Sequence, residues 1–183
     1  LMAGLCVSLS SLANVDEDDP QKRKYANSKF MWTENYVTEG ANCAMAPNKE
    51  EIVTTCLSKD GKPLRWLRKN DIYKYGTYTG TSTLETALYN MSIDEMINNF
   101  EKDGTLRTGF YWVGVWTRDV SYSSLLALSY MCPDKVRNSL EVKIDRMGRI
   151  IQDTGTGGSW PCSSDRVVWA LSAWNIYLAT GDM

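Results

Sequence analysis

Between Ala26 and about Tyr78 the apolar residues come in short runs with no helical stripe. Phe30-Met31-Trp32, Tyr36-Val37, Ile52–Leu57 and Leu64-Arg65-Trp66-Leu67 are rich in aromatic and β-branched side chains, a composition that predicts strands. Asp60-Gly61, between the last two runs, is a hairpin signal. From Ser82 onward the spacing changes to threes and fours. Ser82-x-x-Glu85 reads as a capping box, and Leu84, Leu88 and Met91 form a stripe behind it. Ile93, Met96, Ile97 and Phe100 continue the stripe slightly out of phase, which predicts a kink near Ser92 and an end at Asp103-Gly104. Further helices are predicted from Ser121 to Met131 and from Pro133 to about Asp145. A Gly-rich link, Gly148 to Pro161, leads to a last helix over Asp165–Ala179. Its predicted apolar face is Val167, Leu171, Trp174 and Leu178, widened by Trp169, Ala173 and Ile176. The pattern predicts a β-rich segment over 14–81, followed by a mostly α layer of helix hairpins over 82–183. No internal repeat stands out beyond the alternation of loop and helix.

Composition narrows the classes of function. The chain has 183 residues, a formal net charge of -2 and a pI near 5.3. That balance argues against nucleic-acid binding, which needs a basic face. The one basic run, Gln21-Lys22-Arg23-Lys24, follows the acidic run Asp16–Asp19 and reads as a solvated tail. Mixed charge also argues against a membrane-surface helix. Leu1–Leu9 is apolar and small, and Ser11-Leu12-Ala13 fits a small-x-small cleavage pattern. Residues 1–13 therefore read as the back half of a secretory signal peptide, too short to span a membrane, and predict a secreted or periplasmic protein. A lipoprotein anchor at Cys6 fits less well, because Gly4-Leu5 precedes it. A start without an initiator Met and a stop at Thr180-Gly181-Asp182-Met183, directly after a helical pattern, read as a piece of a longer protein.

Removing Cys6 with the signal leaves Cys43, Cys56, Cys132 and Cys162, which permit three pairings. Cys43 with Cys56 is the most local pairing, and four thiols fit equally well. With no histidine and no Cys-x-x-Cys, no metal site is expected. No motif requires a cofactor. Thr154–Ser159 lacks the Gly-Lys-Ser/Thr ending of a phosphate loop and reads as a turn.

The densest chemistry lies in Trp112-Val113-Gly114-Val115-Trp116-Thr117-Arg118-Asp119, just ahead of a helical pattern. A second block, Trp160-Pro161-Cys162-Ser163-Ser164-Asp165-Arg166, also precedes a helix. Indole offers an apolar face to the CH-rich side of a pyranose. A carboxylate accepts from hydroxyls and a guanidinium donates to them in a fixed fork. The residue types fit an oligosaccharide ligand. The structural alternative is that Asp119 and Asp165 cap their helices. Capping accounts for Asp119 alone, not for Trp112, Trp116 and Arg118 beside it. For the second block, site and scaffold are equally good readings, and Trp160-Pro161 also suits a rigid corner. Trp169 and Trp174 read as core.

Thr83–Met91, Gly114–Ser123 and Trp160–Trp169 together resemble the six-hairpin glycosidase superfamily, particularly its secreted bacterial members. The Trp116-Thr117-Arg118-Asp119 element is also similar to one in glucoamylases. The resemblance covers roughly Thr83 to Asp182. It implies the first helices of an α/α barrel and a glycoside hydrolase acting on oligosaccharides. It further implies that Trp116, Arg118 and Asp119 line the innermost sugar subsite, with the general acid and base C-terminal to this chain. Trp160, Asp165 and Arg166 of the second block are the remaining substrate-binding candidates. A non-catalytic glycan-binding protein, or a lyase or epimerase on the same scaffold, would use the same residues.

Overall fold

A computed structural model describes residues 23–26, 29–151, 153 and 164–182. The signal-like segment with Cys6, the Gly-rich turn Thr154–Ser159, Trp160 and Cys162 lie outside the described residues. The chain divides into two compact units, residues 1–95 and 96–183. The boundary therefore falls inside the first helix and not at its start.

The first unit is a six-stranded antiparallel meander in sequence order. Its strands are β1 (Arg23–Ala26), β2 (Phe30–Thr33), β3 (Tyr36–Glu39), β4 (Asn42–Asn48), β5 (Glu51–Leu57) and β6 (Pro63–Leu67). The registers Trp32↔Val37, Val37↔Ala44 and Ile52↔Trp66 place these side chains on one sheet face. Helix α1 (Thr83–Asn98) covers that face. Leu84 and Ala87 are buried with Ala46 and Ile52, and Trp32, Val37, Ala44, Trp66, Leu88 and Met91 pack around them. The Ser82 half of the capping box forms at its start, and the Glu85 half reaches one residue further back, to Thr81. Ser82 Oγ accepts from Glu85 N–H at 3.1 Å, and the Glu85 carboxylate accepts from Thr81 N–H at 3.0 Å. Asp94 fastens the chain beyond β6 to α1, accepting from Trp66 Nε1 at 3.0 Å and from Asn70 N and Nδ2 at 2.9 and 2.8 Å.

The second unit is helical. Helix α2 is one run built of an α segment (Thr117–Ser123), a π turn (Ser124–Leu128) and a last α turn (Ser129–Met131). Helices α3 (Pro133–Glu141) and α4 (Asp165–Thr180) follow. Leu106, Val120, Val136, Leu140 and Ile176 form the core, with Phe100, Val115, Leu128, Trp169 and Ala173 against it. Ser121, Ser124 and Ser172 are fully buried. Their small side chains let the helix backbones approach, and Asn175 Nδ2 donates to Ser124 O across the gap at 3.1 Å.

A repeat emerges that the sequence pattern hides. After α1, a tight hairpin pairs Phe100 with Leu106; after α3, another pairs Ile144 with Ile150. Both use the same bonds: Glu101 N to Thr105 O and Asp145 N to Arg149 O, each 2.9 Å. Both turn on a left-handed glycine, Gly104 at φ 86° and Gly148 at φ 76°, where a Cβ would be strained. Each hairpin leads into the segment that precedes the next helix.

Several expectations need correction. The chain is not a mostly α barrel segment: a six-stranded sheet occupies the first unit, so the described architecture is α+β. β1 and β4 were not expected. β1 is drawn from the charged run read as tail, and β4 carries Asn, Ala and Pro, poor strand formers that pairing on both sides overrides. Helix α1 runs unbroken through Ser92, whose Oγ donates to Leu88 O at 2.9 Å. It ends at Asn98, because the chain then turns into the Phe100–Leu106 hairpin. Helix α3 stops at Glu141 for the same reason. On α4 the buried face is Asp165, Val168, Ser172 and Ile176, while Val167, Leu171, Trp174 and Leu178 are exposed. Both faces are apolar enough to mislead a periodicity argument; α2 and α3 pack on the one carrying small residues. Trp174 is thus no core residue, whereas Trp169 packs on the core and donates to Leu140 O at 2.9 Å.

The local cysteine pairing also fails. Cys56 is a free thiol, as is Cys132. Ala44 pairs with Thr54, which puts Cys43 opposite Thr55, and Cys43 N donates to Thr55 Oγ1 at 2.8 Å. Cys56, one residue on, points to the other sheet face.

Candidate functional site

Helix α2 starts four residues earlier than its apolar pattern suggests, so Arg118 and Asp119 stand in its first turn. Trp116 is the residue before that turn, in extended conformation, and its own side chain caps nothing. The cap comes from far away in sequence. Asp153 accepts a hydrogen bond from Thr117 N–H through its carboxylate. That supplies the side-chain oxygen and the negative charge favoured at a helix start. Asp119 is therefore released from capping. It is exposed.

Arg118 reaches down to Asp165, the first residue of α4. Asp165 is fully buried, and its other oxygen accepts from Asp153 N–H at 2.6 Å. The Asp153 carboxylate in turn holds Lys143 Nζ at 2.6 Å, and Lys143 also donates to Val115 O at 3.0 Å. The result is a chain of two ion pairs, Arg118–Asp165 and Asp153–Lys143, joined through the Asp153 backbone. Each buried carboxylate has a cation and an N–H, which is what makes the burial tolerable. The chain fixes the start of α2, the start of α4 and the segment around Val115 relative to one another.

Above this floor is an open cleft of about 680 Å³ lined by Thr108, Trp112, Trp116, Arg118, Asp119, Tyr122 and Ser123. Trp112 and Trp116 meet edge to face, with centroids 6.0 Å apart and planes at 79°. Arg118 keeps about a third of its side chain exposed, 31%, while anchored on Asp165. The cleft thus offers two indoles, a guanidinium, a carboxylate and three hydroxyls.

Of the residues singled out from the sequence, Trp116, Arg118 and Asp119 share this cleft. Asp165 belongs to its floor and acts on the cleft through Arg118. Arg166 is exposed at the start of α4 and does not line the cleft. Trp160 lies outside the described residues. Lys143 and Asp153 went unnoticed. Their partners are distant in sequence, and the only available signal, two isolated charges each just beyond a helix or hairpin, is too common to use. Thr108, Tyr122 and Ser123 also line the cleft, and the sequence reading singles out none of the three.

Among the described residues no group of three or more His, Cys, Asp or Glu is placed to hold a metal ion. Among the same residues no helix is long and apolar enough to cross a membrane. The chain matches no family model, no curated protein and no solved structure.

Proposed function

We propose that the cleft binds a carbohydrate and that the chain is part of an exported glycoside hydrolase acting on oligosaccharides. The observation supporting this reading is the convergence of Trp116, Arg118 and Asp119 on one open cleft, with Arg118 held from below by a fully buried carboxylate. A pyranose placed there stacks its CH face on Trp116. Asp119 accepts from one hydroxyl and Arg118 donates to the next. Both contacts are charge-assisted and stronger than neutral ones. Because Arg118 is already oriented, little rotamer entropy is lost on binding. If these contacts tighten as the ring flattens toward an oxocarbenium-like transition state, they contribute to rate as well as affinity.

One observation favours a second reading. Glycoside hydrolysis ordinarily uses two carboxyl groups, and Asp119 is the single carboxylate lining the cleft among the described residues. A non-catalytic glycan-binding protein needs no second acid. The test is to incubate the protein with α- and β-linked glucose, galactose and mannose oligosaccharides and measure both reducing-end release and binding heat. Release that disappears in Asp119→Ala supports the hydrolase. Binding without release supports the binding protein. Absence of both binding and release refutes the carbohydrate reading.

A further inference from the structure

The segment entering the cleft carries an unexplained feature. Gly109 and Trp112 exchange backbone hydrogen bonds at 3.3 and 3.1 Å, closing a tight turn whose two tip residues are Phe110 and Tyr111. Turn tips are normally Gly, Asn, Asp, Pro or Ser, which suit the backbone and the solvent. Here Phe110, Tyr111, Trp112 and Val113 are 76%, 80%, 58% and 69% exposed. Phe110 and Tyr111 meet edge to face at 5.0 Å, and Arg107 donates to Phe110 O at 3.4 Å. This is an ordered turn that holds aromatic surface out in water. Contiguous exposed apolar surface of this kind marks a binding surface.

Trp112 identifies the occupant, because it belongs to the turn and also to the cleft wall. Its indole stands nearly perpendicular to that of Trp116, at 79°. One sugar ring cannot stack on both planes. Two successive rings of a glycan can, since rotation about the glycosidic bond changes the plane between them. Resting on the carbohydrate reading of the cleft, we infer that the turn from Gly109 to Val113 is an outer stacking platform. The ligand is then a glycan of at least two rings, the inner on Trp116 and the next on Trp112. Phe110 and Tyr111 extend the platform away from the cleft.

Calorimetric titration of the whole chain with glucose, galactose and mannose, and with their α- and β-linked di- and trisaccharides, tests this. The preferred disaccharide should bind at least tenfold more tightly than its monosaccharide. That ratio should collapse toward one in Trp112→Ala and survive in Trp112→Tyr, which keeps a stacking face. Near-UV circular dichroism checks that both variants are folded. A wild-type ratio near one overturns the outer platform while leaving the sugar cleft standing, as does an unchanged ratio in a folded Trp112→Ala. Absence of binding by every sugar overturns the cleft reading and the platform together.

Discussion

Arg118 and Asp165 form an ion pair across 47 residues of chain, joining the first turns of two helices. Asp165 is fully buried and Arg118 is not, so the two ends of the pair have different roles. The carboxylate is structural; the guanidinium is presented. Removing the carboxylate leaves a half-buried cation without its counter-charge and Asp153 N–H without its acceptor. Breaking a buried pair from one side costs about 3–5 kcal/mol, and the exposed part of Arg118 places this one near the lower bound. Asp165→Ala should therefore lower the free energy of unfolding by about 3 kcal/mol in urea. Asp165→Asn, which retains the shape and one acceptor, should lose less. A change below about 0.5 kcal/mol for Asp165→Ala would show that the pair does not anchor the second unit.

Asp119 has the opposite profile. It is exposed and Asp153 already caps its helix, so its charge is available to a ligand. Asp119→Asn should change unfolding free energy by no more than about 0.5 kcal/mol, as for an ordinary surface position. On the proposed carbohydrate reading, sugar affinity, or the specificity constant for any hydrolysis, should fall at least tenfold, because an amide replaces a charge-assisted acceptor. Urea melts and titration of the same preparation separate the two quantities. Stability loss without loss of affinity would return Asp119 to a capping role.

The contrast between these two aspartates marks how far the sequence could be read. Trp116, Arg118 and Asp119 lie within four residues of one another, so any turn there brings them to one place, and local spacing found them. Asp165 stood out for the same local reason, yet only the fold shows that it supports Arg118 and does not face the cleft. Lys143 and Asp153 have no local signal at all. At the level of elements, the aromatic and β-branched runs of β2, β5 and β6 and the capping motif at Ser82 were legible because they are short-range. β1 and β4 were not, because their pairing comes from neighbours and not from propensity. The apolar face of α4 was misread because both faces are apolar, and contact with α2 and α3 decides between them.

Acid should weaken the first unit through Asp94. Burial alone would raise its carboxyl, but hydrogen bonds from Asn70, Trp66 and Lys69 outweigh it and hold the group below its ordinary value. A depressed native value means that the unfolded chain takes up the proton first. The stabilisation is thus fully present above the unfolded value, about 3.9, and is lost as pH falls through the native one. Urea midpoints of the wild type should hold between pH 7 and 5 and fall between pH 4 and 2. Asp94→Asn should already be destabilised at pH 7 and show a shallower fall. Parallel acid limbs in the two proteins would remove Asp94 from this account.

The thiols provide a check on burial that involves no ligand. Cys132 is buried, and desolvation pushes its thiol up to about 11. Only the thiolate reacts readily, so at pH 8 Cys132 presents very little of the reactive form and little access to it. Cys56 is also a free thiol but lies only partly buried on β5. Iodoacetamide at pH 8, followed by peptide mass mapping, should modify Cys56 well before Cys132. Denaturant should bring the two rates together, because unfolding removes the burial that slows Cys132. Non-reducing digestion should show no peptide linking Cys43 to Cys56, since the β4–β5 register points the two side chains to opposite sheet faces. A linked peptide would require that register to be shifted by one residue, which would also turn Ile52 out of the core it shares with Leu84 and Ala87.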